Sequence, residues 1–100
     1  MDVRPLLERL NVLNTELTSG YRELSDLQSA ERQGRLETWI QLYGSGDHNV
    51  SSTDRQTDHA VLPLTQDIYK LKAEIQAWQE ERDHLRYICL LYTSPSPRDS

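Results

Sequence analysis

A chain of 100 residues with a net charge of −5 and a mean hydropathy of −0.74 has room for one domain and a modest apolar content. The acidic balance, with eleven Lys and Arg dispersed among sixteen Asp and Glu, argues against a nucleic-acid backbone as principal ligand, because that affinity comes from cations on phosphates. Four glycines, no phenylalanine and frequent leucine suit long helices better than a compact α/β core. No run approaches the ~18 apolar residues of a membrane span, and no basic-then-apolar signal peptide opens the chain. The expected location is cytoplasmic, with no membrane contact. The single cysteine, Cys89, excludes an intrachain disulfide.

The first element is a helix over about 3–43. From Val3 the apolar residues fall at Leu6, Leu10, Leu13, Leu17, Leu24 and Leu27. Steps of three and four keep such side chains on one face, the seam of an amphipathic or coiled-coil helix. Asp2 can cap the start, and Pro5 sits in the first turn, where its missing N–H costs little. After Leu27 the phase falters at Glu31 and Gly34 and resumes with Leu36, Trp39, Ile40 and Tyr43. A stutter in a heptad pattern produces such a slip. Gly44-Ser45-Gly46-Asp47 then reads as a helix stop followed by a turn.

A loop of about 44–51 leads to a second helix of about 52–88. Ser51-Ser52-Thr53-Asp54 has the form of an N-cap with an acid three residues on, and Asp58 adds favourable charge near that end. Val61, Leu64, Ile68, Leu71, Ile75, Trp78 and Leu85 hold a heptad that only Arg82 interrupts, and arginine can lay its methylenes on a seam. Pro63 lies in the interior, where it costs roughly 3 kcal/mol, so the helix is expected to kink or break briefly there. Two rods of matched length joined by a short loop form an antiparallel two-helix hairpin, all-α and coiled-coil-like. With the loop centred near residue 47, Gly20 falls opposite Ile75 and about one turn from Trp78. A small residue there would let the backbones approach, although the plainer reading is a weak point costing about 1 kcal/mol relative to alanine.

The final stretch, CLLYTSPSPRD at 89–99, does not continue this pattern. Its eleven residues resemble a transposase-type sequencing adapter translated in frame. That resemblance implies a non-native tail over 89–100 and a natural reading frame interrupted near Ile88. The stretches LETWIQLYGSGD, SSTDRQTDHA and IYKLKAEIQAWQEERDHLRYI, over 36–88, resemble small helical-hairpin proteins of phage and prophage regions. This likeness implies an accessory protein and no active residues to carry over.

Reaction chemistry has little support. His48, His59 and His84 are scattered, and Asp58-His59 and Asp83-His84 are adjacent pairs whose side chains diverge. Exposed polar residues are the simpler reading of all of them. No GxGxxG, P-loop or HExxH pattern occurs, and Gly44-Ser45-Gly46 has no following Lys. No catalytic, cofactor-binding or metal-ligating residues are therefore assigned, and no cofactor is expected. Trp39, Trp78, Tyr21 and Tyr43 lie on or beside the seam and read as core or interface. A two-helix unit leaves its stripes partly wet, and small scaffolds often close that gap by oligomerising. The expected function is a helical protein–protein interaction module, pairing as a homodimer or with another helical protein through Leu10, Leu17, Leu24, Ile68, Leu71, Ile75 and Trp78. The alternative is the N-terminal coiled-coil arm of a longer enzyme or nucleic-acid-processing protein.

Overall fold

The computed structural model describes residues 2–93, which form two helices, α1 (Arg4–Gly44) and α2 (Val50–Thr93). They make the expected all-α antiparallel hairpin, with no strand among the described residues. The chain divides into two compact units. One takes the residues up to Tyr21 and those from Ala73 onward, and the other is Arg22–Lys72.

The start of α1 follows the sequence. The Arg4 N–H donates to Asp2 Oδ1 at 3.0 Å, so Asp2 satisfies one of the donors a helix start leaves open. At the other end the Ser45 N–H reaches the Gln41 carbonyl at 3.2 Å and the Ser45 hydroxyl donates to the Leu42 carbonyl at 2.7 Å. The turn is completed by Gly46, whose φ of +82° is one that side-chain-bearing residues rarely adopt.

The start of α2 differs from expectation. Its cap is Asn49, whose Oδ1 accepts the Ser52 N–H at 2.7 Å and whose carbonyl accepts the first helical bond, from Thr53 N–H at 2.9 Å. Ser51 to Asp54 therefore lie inside the first turns. Asparagine caps as well as the serine expected at Ser51, and Thr53, inside the first turn, turns its hydroxyl back to the Asn49 carbonyl at 2.7 Å. Nor does Pro63 break the helix, which runs through it uninterrupted. The carbonyl that loses its donor belongs to His59, and both residues are exposed, where water can serve it. At its far end α2 continues through Cys89 to Thr93; residues 94–100, the rest of the adapter-like stretch, lie outside the described residues.

The expected slip in α1 is absent. Burial runs in steps of three and four from Val3 through Leu13, Leu17, Gly20, Leu24, Leu27, Glu31 and Gly34 to Thr38 without a change of phase. Polar and small residues fill the seam where apolar ones were sought. The consequence is that Leu36, Ile40 and Tyr43 are not seam residues at all. They are 61%, 57% and 47% exposed.

Each unit has its own interior. In the unit containing both chain ends, Leu13, Leu17 and Ile75 are buried, and Gly20 is buried with them. A methyl group at Gly20 would sit 3.0 Å from Trp78 Cζ3 and 3.1 Å from Ile75 Cγ1, so the glycine is what permits this approach. In Arg22–Lys72 the buried apolar residues are Val61, Ile68 and Leu71, joined by Thr53 and Thr57. There the Thr65 hydroxyl donates to Glu31 at 2.6 Å, which explains how a glutamate holds a seam position. Thr57 Oγ1 is buried and finds no partner among the described residues.

Candidate interaction surface

The residues proposed from sequence for pairing are spent within the chain. Leu17, Ile68, Leu71 and Ile75 are between 3% and 6% exposed, and Leu10, Leu24 and Trp78 are half-buried. A second chain would reach the first four only if the seam opened. What the fold leaves on the outside is a different set, which includes Tyr87, Leu90, Leu91 and Tyr92 near the end of α2 and a regular stripe on α1 within Arg22–Lys72. Leu36, Ile40 and Tyr43 follow one another in steps of four and three, which puts them on one helical face.

The stripe is held from beneath. Trp39 Nε1 donates to Asp54 Oδ1 at 2.9 Å, and the Trp39 ring stacks on Tyr43 with centroids 4.7 Å apart and planes 19° apart. Arg35 bonds to Asp58 on the same unit. These contacts fix α1 on α2 and orient Tyr43 while leaving its ring accessible. Open grooves of about 480 Å³ and 390 Å³ run along α1 where Leu36, Glu37 and Ile40 stand out, one bounded by Ser29 and Arg32, the other by Gly34 and Gln41. Ridges flanked by grooves are what a packing helix engages.

A third groove, about 670 Å³ and also open, lies between the helices near the loop, with Thr38 and Leu42 on one wall and Ser52, Arg55, Gln56 and His59 on the other. Beside it the fold brings together a pair that sequence spacing did not single out. His48 Nδ1 lies 3.2 Å from Ser52 Oγ and 3.4 Å from Gln56 Nε2. A serine beside a histidine is half of a nucleophile–base arrangement, but activation also needs a third group to orient the base. Here the third contact falls on the same ring nitrogen as the serine, so the cluster acts as a tie between the loop and the first turns of α2. Its signal in sequence was His48 four residues before Ser52, which helix geometry places close only once Asn49 is known to be the cap.

His59 and His84 are exposed, and among the described residues no group of three or more His, Cys, Asp or Glu could hold a metal ion. Among the same residues no helix is long and apolar enough to cross a membrane. Compared with protein-family models, curated proteins and solved structures, the chain matches none.

The electrostatics of the other unit are structural in character. Arg9 forks onto Glu81, Nε to Oε2 at 2.5 Å and Nη2 to Oε1 at 2.9 Å. That hydrogen bonding lowers the Glu81 carboxyl below its ordinary range and raises the guanidinium further. Asp2 is lowered in the same way by its hydrogen bonds from Arg4. Gln79 donates to the Tyr21 hydroxyl, a further bond between the helices in this unit.

Proposed function

We propose that the chain is a non-enzymatic helical interaction module whose first partner is a second copy of itself, with another helical protein as the remaining class of partner. The observation that carries this reading is the exposure of Leu36, Ile40 and Tyr43 on one face of α1 while the seam beneath is already closed. Contiguous apolar side chains left in water on a small domain are characteristic of protein contact sites. A two-helix scaffold also has few ways to hide its remaining apolar surface except by association. The open grooves favour a packing surface over an enclosed ligand site, since small-molecule sites cover most of their ligand. The resemblance of residues 36–88 to phage and prophage hairpin proteins fits an accessory role of this kind.

Thermal unfolding as a function of concentration tests the proposal. Association of the folded state makes the midpoint rise with protein concentration by mass action. A midpoint that stays constant from micromolar to millimolar chain, with a monomeric mass throughout, would overturn self-association.

A further inference from the structure

We infer that the second copy packs antiparallel on the Leu36–Ile40–Tyr43 face of α1, about a twofold axis passing near Ile40, with Arg32 of each copy against Asp47 of the other. The inference rests on the self-association proposed above and says where it occurs. An isologous interface requires a surface complementary to itself. This one is. Leu36 stands four residues before Ile40 and Tyr43 three after, so an antiparallel twofold brings Leu36 against the partner's Tyr43 and Ile40 against its counterpart.

The charges obey the same symmetry. Arg32 lies about 12 Å before Ile40 along the helix at about 1.5 Å per residue. Asp47 follows Ile40 on the opposite side, in the turn past the end of α1 at Gly44. Both are exposed, and neither has an ion pair among the described residues; the contact of Arg32 is Ser29 Oγ at 3.3 Å. A cation at one end and an anion at the other is the pattern that reversal of direction satisfies. A parallel second copy would set like charge beside like.

Two further features favour a partner of this shape. The grooves along α1 can take the ridge of an equivalent helix, and the same helix supplies both groove and ridge. Tyr43 is already stacked on Trp39, whose indole is bonded to Asp54, so the largest side chain of the patch has little freedom left to lose on binding. An aromatic anchor held in place, an aliphatic centre and charged ends are the usual anatomy of a small interface.

Sedimentation equilibrium of the full chain and its variants tests this. Ile40→Glu and Leu36→Lys change exposed positions, so helicity by circular dichroism should be retained while the dimer dissociation constant rises at least about tenfold. Arg32→Asp and Asp47→Arg should each weaken the dimer by several-fold, and the double variant Arg32→Asp/Asp47→Arg should restore it. Dimers that persist in both Ile40→Glu and Leu36→Lys would overturn this interface and leave self-association standing. A wild-type chain that remains monomeric would overturn both. Single charge reversals that weaken the dimer without rescue in the double variant would overturn the Arg32–Asp47 pairing and the antiparallel arrangement with it.

Discussion

The unit around Leu13, Leu17 and Ile75 and the loop-ward part of Arg22–Lys72 solve one problem, closing two helices on each other, with opposite materials. The first uses leucine, isoleucine and a glycine that lets Trp78 come close. The second sets Glu31, Gly34, Thr38, Thr53 and Thr57 in the seam beside Val61, bonds Glu31 to Thr65, and turns Leu36, Ile40 and Tyr43 outward. An apolar seam supplies stability through burial and packing, whereas buried polar groups supply register and orientation at some expense of stability. The comparison teaches that three apolar residues of α1 near the loop, Leu36, Ile40 and Tyr43, stand outside the seam although Val61 is buried within it. That is the arrangement expected when a surface is kept for something outside the chain.

The contrast is sharpest in what single substitutions should do, all compared at one protein concentration because association would otherwise contribute. Leu13, with no exposed surface, should lose most: Leu13→Ala is expected to cost about 2–5 kcal/mol in denaturant unfolding. A loss under about 1 kcal/mol would mean this unit is not the tightly packed one. Gly20→Leu comes next. Its first carbon already meets Trp78 and Ile75 at 3.0 and 3.1 Å, so overpacking of about 1–3 kcal/mol competes with a helix-propensity gain of about 1 kcal/mol. The net effect should be destabilising, and a rise in stability would show the indole swinging away freely.

Substitutions near the loop should go the other way. At Gly34 the nearest atom to a new methyl is Val61 Cγ1 at 3.8 Å, an ordinary contact. Gly34→Ala should therefore raise stability by about 1 kcal/mol, close to the full propensity difference. Thr57→Val replaces a buried hydroxyl that has no partner by a methyl of similar shape, and should add about 1 kcal/mol. If either change instead destabilises the chain, the polar seam is packed more closely than these distances imply.

Much of this was legible in the residues themselves. The heptad from Val61 to Leu85 with a half-buried Arg82 in it, the pairing of Gly20 with Ile75 and Trp78, and the hairpin topology all follow from periodicity and loop position. The surface was misread because hydrophobic periodicity assumes that the seam is apolar. Glu31 and Thr65 violate that assumption together, and neither is recognisable alone, since the bond joining them spans 34 residues. Once Glu31, Gly34 and Thr38 keep phase, Leu36, Ile40 and Tyr43 must face outward. The cap of α2 was displaced for a local reason: Asn49 precedes a run of hydroxyl residues, each of which also caps well. Of the two outcomes expected at Pro63, a kink or a brief break, the break does not occur, and the carbonyl left without its N–H is exposed where water can serve it.

The smallest expected effect separates the two regions by pH. In the unit with both chain ends, Arg9 holds the Glu81 carboxyl below its ordinary value, chiefly through its hydrogen bonds. A carboxyl with a depressed folded value contributes stability above its unfolded pKa of about 4.3 and loses it as pH falls through the lower folded value. Acidification below about pH 4.3 should therefore weaken the wild-type chain slightly more than Glu81→Gln, and the two stability curves should converge at lower pH. The pair is exposed to solvent, so the difference should be small and should shrink further in high salt. Parallel acid titrations of the two proteins by circular dichroism measure it. Curves that stay parallel from neutral pH to the acid limit would mean that the fork between Arg9 and Glu81 contributes nothing to holding this unit closed.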